Sequence, residues 1–224
     1  MFNSIAGRYD FLNHFLSAGI DRRWRNKVIQ ILRKENPRNI LDVATGTADL
    51  AISQAKLNPD KIYGIDIADQ MLDIGRDKIQ KKGLGHLITL QNGDSEALSF
   101  KDNTFDAVTV AFGVRNFEDL DKGLAEMNRI LKPGGIAVIL EFSKPRHFPV
   151  KQLYNFYFKY ILPFLGRLVS RHESAYTYLP ESVSEFPDGN DFISHMEKAG
   201  FIDSTYKTLT FGIASIYTGK KALN

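Results

Sequence analysis

The run Ile40-Leu-Asp-Val-Ala-Thr-Gly-Thr-Ala-Asp-Leu50 decides the fold: an apolar stretch ends in a carboxylate, turns through small residues and opens into a helix-like start. A second unit follows, Ile62-Tyr-Gly-Ile-Asp66, whose carboxylate lies 20 residues beyond Gly46. A strand, a tight loop and an acid on the tip of the next strand are the parts of a nucleoside-binding α/β sheet.

Outward from this centre the apolar periodicity alternates between strand and helix. Strands are expected over 39–43, 61–65, 87–91, 105–111 and 136–142, with helices over 49–56, 69–82 and 120–131 between them. That order gives a parallel sheet covered on both faces. Before it, helical spacing over 9–32 predicts two helices, broken at Ser17-Ala-Gly-Ile-Asp21. After it come an aromatic stretch, Leu153 to Val169, a helix over 190–199 ended by Gly200, and two runs, 201–209 and 211–218, that can pair as an antiparallel hairpin.

The chain has 224 residues and no break in composition, so a single domain over 1–224 is expected, with a helical cap at 1–36 and an aromatic substrate-side insertion at 146–189. Its 29 basic and 26 acidic residues leave a net charge of only +3, too little for a nucleic-acid footprint. The absence of cysteine excludes disulfides, thiol catalysis and thiolate metal sites. The five histidines show none of the close pairings zinc favours, so no metal site is expected. No apolar run approaches a spanning helix, which predicts a cytoplasmic protein.

The loop chemistry narrows the ligand. Dinucleotide sites carry G-x-G-x-x-G so that a pyrophosphate can approach bare backbone. Here Ala44-Thr-Gly-Thr-Ala48 holds one glycine and follows Asp42, a carboxylate that would repel phosphate and attract a cation. S-adenosylmethionine fits this polarity, with a sulfonium, an α-ammonium and an adenosine but no phosphate. The chain therefore resembles the seven-stranded, Rossmann-like S-adenosylmethionine-dependent methyltransferases, whose seventh strand is the antiparallel one.

On that resemblance Asp66 accepts from the ribose hydroxyls, and Gly46 and Thr47 present backbone to the methionine moiety. Asp94 accepts from the adenine amine, while the Ser95 N–H meets the ring edge. Helix caps are the plain alternatives for Asp42 and for Asp94-Ser95.

Further stretches resemble one family. These are Phe2-Asn-Ser-Ile-Ala-Gly-Arg-Tyr-Asp-Phe-Leu-Asn13 with Leu16-Ser-Ala-Gly-Ile-Asp-Arg-Arg-Trp-Arg25, then Ala111-Phe-Gly-Val-Arg-Asn116, then Leu131-Lys-Pro-Gly-Gly135 with Leu140-Glu-Phe-Ser-Lys-Pro145, and Tyr176-Thr-Tyr-Leu-Pro-Glu-Ser182. Together they look like the ubiquinone/menaquinone C-methyltransferase family over essentially the whole chain. Glycines usual in that family are replaced by Thr45 and Ala48, and a frequent serine by Ala111.

The resemblance implies methyl transfer to a ring carbon of a polyprenyl quinol, with demethylmenaquinol the expected acceptor and a benzoquinol, another phenol or a sterol the alternatives. It makes Arg115 the catalytic residue, a cation beside the methyl that favours the quinol oxyanion; an ion pair with Glu118 or Asp119 is the alternative. Asn116, Tyr9 and Tyr178 are placed at the acceptor, against helix capping for Asn116 and packing for the tyrosines. The aromatic segment, flanked by Lys144, Arg146, Lys151, Arg167 and Arg171, reads either as a peripheral membrane contact for an isoprenoid tail or as a packing or homodimer face.

Overall fold

The computed structural model describes residues 19–156 and 181–223. The first N-terminal helix, Tyr9, Tyr178, Arg167, Arg171 and most of the aromatic insertion were expectations that fall outside those residues. Helix α1 (Asp21–Glu35) buries Trp24, Val28, Ile29 and Leu32 along one stripe and ends at Asn36 in the left-handed conformation. Strand β1 (Asn39–Val43) is buried from Ile40 onward, as a central parallel strand covered on both faces must be.

The chain continues through α2 (Asp49–Gln54), a 3₁₀ turn at Ala55–Leu57, β2 (Lys61–Asp66), α3 (Asp69–Lys81), β3 (Ile88–Asn92) and β4 (Phe105–Ala111). After a 3₁₀ turn at Val114–Asn116 come α4 (Leu120–Ile130), β5 (Leu131–Phe142), α5 (Val150–Phe156), α6 (Asn190–Lys198), β6 (Phe201–Leu209) and β7 (Ala214–Lys221). The seven strands lie in the order β3-β2-β1-β4-β5-β7-β6. The first five are parallel, while β7 runs antiparallel between β5 and β6. Strand order reverses between β1 and β4, the place where an open α/β sheet opens a crevice at its carboxyl ends.

The expected α/β class and hairpin are both present. Most boundaries shift by no more than two residues, but two strands differ further: β7 runs Ala214–Lys221 rather than 211–218, after a 3₁₀ turn at Thr210–Gly212, and β5 begins at Leu131 rather than Ile136. Lys132-Pro-Gly-Gly135 does not leave the sheet but runs as an irregular extension, with Leu131 paired to Phe105 across a register shift. Gly134 takes a positive φ of 77°, and a Cβ on Gly135 would stand 2.9 Å from the Lys132 carbonyl, so the two glycines make a bulge rather than a turn.

Trp24 ties α1 to the site end of the sheet. Its ring meets Phe112 and Phe142 at centroid distances of 6.0 and 6.1 Å, those two rings lie 4.6 Å apart, and the indole N–H donates to Thr210 Oγ1 at 2.8 Å. Such tilted aromatic contacts fix ring positions as well as bury area. Phe112 is thereby held at the mouth of the β1/β4 crevice.

Candidate functional site

A cleft of about 250 Å³ opens at the carboxyl ends of β1, β2, β3 and β4. Its first wall is the β1–α2 loop. Ala44, Gly46 and Ala48 all take positive φ (51°, 54° and 66°), while the Thr45 N–H donates to the Ile65 carbonyl at 2.8 Å. Left-handed alanines are strained, and they persist here because the surroundings fix the loop. Gly113 and Gly75 make room for it: a Cβ on Gly113 would lie 2.5 Å from Ala44 Cβ, and one on Gly75 3.2 Å from Ala48 Cβ.

Asp42, 1% exposed, lies under the first turn of α2 and accepts the Ala51 N–H there, so the capping alternative is met in part, by a residue outside the helix's own N-cap position. Its two oxygens accept from the Thr45 and Thr109 hydroxyls, each at 2.6 Å, and Gln54 Nε2 in turn donates to Thr109 Oγ1 at 2.7 Å. Burial pushes its carboxyl up to about 6, against the lowering effect of those hydroxyls, and the nearby Asp66 charge adds to the rise. The polar interruption of Ala107-Val-Thr-Val-Ala111 at Thr109 is the sequence signal for this network.

Asp66 accepts the Gly46 N–H at 2.8 Å through Oδ2 and the Ala68 N–H at 2.9 Å through Oδ1. The Ile67 N–H also lies against this carboxylate, and the three donors together fix its plane at the edge of the cleft. Burial raises its carboxyl above the ordinary value, opposed by the same N–H bonds. Asp94 follows β3 and accepts the Glu96 N–H at 2.8 Å in a local turn, with no helix behind it to cap. Thr47 lines the cleft with Gly46, and its hydroxyl accepts from Lys78 Nζ at 2.8 Å. Asp42, Gly46, Thr47, Asp66, Asp94 and Ser95 therefore share one cleft.

The opposite wall is the loop after β4. Phe112, Gly113 and Asn116 face the cleft; Arg115 does not line it. The guanidinium, 3% exposed, pairs with Glu141 at 2.8 Å and donates to the Phe112 carbonyl at 2.6 Å and to Ser182 Oγ at 3.3 Å. The ion-pair partner is thus Glu141, not Glu118 or Asp119, because the loop folds back over the end of β5. Glu141 is fully buried and also accepts the Arg115 and Phe142 N–H groups. Asn116 is no helix cap either: α4 is capped by Asp119, whose side chain accepts the Lys122 N–H at 3.0 Å. Sequence reasoning missed Glu141, although a lone acid in the apolar run Ile139-Leu-Glu-Phe142 marks it, and missed Arg25, which reaches the cleft from α1.

A model of the ubiE/COQ5 methyltransferase family matches residues 1–221. The chain belongs to that family. It is 50% identical over 222 residues to a demethylmenaquinone methyltransferase of Bacteroides fragilis, covering 99% of this chain and 91% of the relative. It is 49% identical over 225 residues to a Geobacter sulfurreducens protein named ubiquinone/menaquinone biosynthesis C-methyltransferase UbiE, covering 100% and 88%. Among solved structures, a SAM-dependent methyltransferase of Thermotoga maritima superposes with a TM-score of 0.68 at 18% identity, covering 98% of this chain and 97% of that one, a likeness of fold.

Proposed function

We propose that this family member is an S-adenosylmethionine-dependent C-methyltransferase that converts demethylmenaquinol to menaquinol. The observation that carries the reading is an acidic cleft at the switch point of the sheet, facing the Phe112–Asn116 loop, in a chain 50% identical to a demethylmenaquinone methyltransferase. The residues fit the cosubstrate. Asp66 lines the cleft with a carboxylate whose plane is fixed for a ribose diol, the acids suit a cation, and the single-glycine loop offers no pyrophosphate cradle. S-adenosylmethionine supplies a methyl group on cationic sulfur, activated for attack by carbon.

In this reading Asp66 and Asp94 orient the nucleoside, while Asp42, Gly46 and Thr47 hold the amino-acid end. Asn116 places its amide at the acceptor side, where a quinol oxygen can be held as its proton leaves and the neighbouring ring carbon gains electron density. Arg115 enters as a positioning residue: with Glu141 it fastens Phe112 and the loop backbone to β5, so that Asn116 is presented in one place. Tyr9 and Tyr178 keep the acceptor-side assignment that the family resemblance gives them.

No helix among the described residues is long and apolar enough to cross a membrane. A peripheral contact is supported by exposed Phe148, Leu153 and Phe156 beside Arg146 and Lys151. Lys144 contributes less than its charge suggests, since its Nζ donates to the Ser184 and Phe186 carbonyls at 3.0 Å. We assign this face to the isoprenoid tail and the bilayer rather than to a homodimer.

The test is transfer of labelled methyl to chemically reduced demethylmenaquinol beside the same compound oxidised. Incorporation with the reduced form alone is expected. The Geobacter relative's name spans both quinones, so a reduced benzoquinol is the second acceptor to try; failure of both with cosubstrate bound would refute the quinol assignment.

A further inference from the structure

Among the described residues, six carboxylates line the cleft: Asp42, Asp49, Asp66, Asp94, Glu96 and Glu118. Among the described lining residues the one basic side chain is Arg25. Carboxylates account for a sulfonium, an ammonium, a ribose and an adenine amine, but they leave the α-carboxylate of the cosubstrate facing like charge. A ligand carboxylate entering such a cleft needs a cation there.

Arg25 is placed to be that cation. Its side chain is 11% exposed, and Nη2 forms both of its ion pairs, one with buried Asp21 a turn earlier on α1 and one with Asp49 at 3.5 Å. Nε and Nη1 have no partner among the described residues. Asp49 is itself held by Lys78 at 3.0 Å, so it does not depend on Arg25 alone for neutralisation. A guanidinium held at one corner by a buried acid is preorganised, and its remaining donors match a carboxylate.

We propose that Arg25 recognises the α-carboxylate of S-adenosylmethionine, with Asp21 as its positioning residue; this rests on the cosubstrate reading above. The ribose is then fixed at Asp66 and the amino-acid end at Arg25, which leaves the sulfonium suspended between two anchors. Because α1 carries Arg25 and also packs Trp24 on Phe112, the same helix links cosubstrate binding to the acceptor-side loop.

The test is calorimetric binding of S-adenosylmethionine, decarboxylated S-adenosylmethionine and 5′-methylthioadenosine to the wild type, Arg25→Met and Arg25→Lys. The wild type should prefer the carboxylated ligand by about 30-fold, or about 2 kcal/mol. Arg25→Met should bind both sulfonium ligands equally, Arg25→Lys should keep part of the preference, and methylthioadenosine should bind all three proteins alike. Comparing ligands within each variant cancels any general loosening of the fold.

A preference that survives in Arg25→Met overturns the proposal, as does a parallel loss of methylthioadenosine affinity, which would make Arg25 a brace for α1. A wild type that binds none of the three ligands overturns the cosubstrate reading along with it.

Discussion

Asp42 makes cosubstrate binding depend on pH in a calculable way. The buried carboxyl, at about 6 against an ordinary 3.8, prefers its proton in the ligand-free protein. A raised acid is a stability cost: between these two values the folded state binds more protons than the unfolded one, so stability falls as pH rises through that window. The full cost is about 3 kcal/mol once Asp42 is ionised. A cation seated against it reverses the balance by favouring the charged form.

If the ligand ammonium returns Asp42 to its ordinary value, affinity for S-adenosylmethionine should be about tenfold weaker at pH 5 than at pH 7, about twofold weaker at pH 6, and flat above. Calorimetry in two buffers of different ionisation enthalpy should find close to one proton released on binding at about pH 5 and almost none at about pH 7. Asp66 is also raised and stands close enough to add to the Asp42 shift, so the control is Asp42→Asn. That variant should bind more weakly and without the slope. A wild type whose affinity does not change over this range, or an Asp42→Asn variant that keeps the slope, would refute the role given to this carboxylate.

Other consequences are as direct. Arg115→Met strands the fully buried Glu141 and should lower unfolding free energy by about 3–5 kcal/mol in urea titration, whereas Arg115→Met with Glu141→Leu should regain most of that loss. Gly113→Ala drives a methyl to 2.5 Å from Ala44 Cβ and should cost about 1–3 kcal/mol and weaken cosubstrate binding; adding Ala44→Gly should restore both, as calorimetry and melting would report. Ala48→Gly relieves a left-handed alanine at φ 66° and should raise stability by about 1 kcal/mol, net of the extra freedom glycine gives the unfolded chain. Phe148→Ser with Leu153→Ser should reduce co-sedimentation with anionic vesicles without altering cosubstrate affinity; equal sedimentation with and without anionic lipid would remove the membrane assignment.

The parts of this molecule legible in its sequence are those that periodicity and strand-end chemistry encode. Asp42, Asp66 and Asp94 could be placed in one cleft because each ends or follows a strand, and parallel strands bring their carboxyl ends to one edge. What the acids touch was not legible. Thr109 is recognisable as a polar residue in an apolar strand, but its bond to Asp42 depends on the β1–β4 register, which the sequence leaves open until the crossover is known. Glu141 pairs with Arg115 across 26 residues, and nearer acids at 118 and 119 make better guesses on distance along the chain.

The left-handed alanines were the most concealed feature, since alanine, unlike glycine, carries no signal of positive φ. Their conformation follows from neighbours: Gly75 and Gly113 lack the Cβ atoms that would crowd Ala48 and Ala44. The glycine missing from the loop is in effect supplied by α3 and by the loop after β4. Hence the two walls of the cleft are fitted to each other at Ala44 and Gly113, and a change in the cosubstrate loop should be felt at Asn116, three residues along the facing wall.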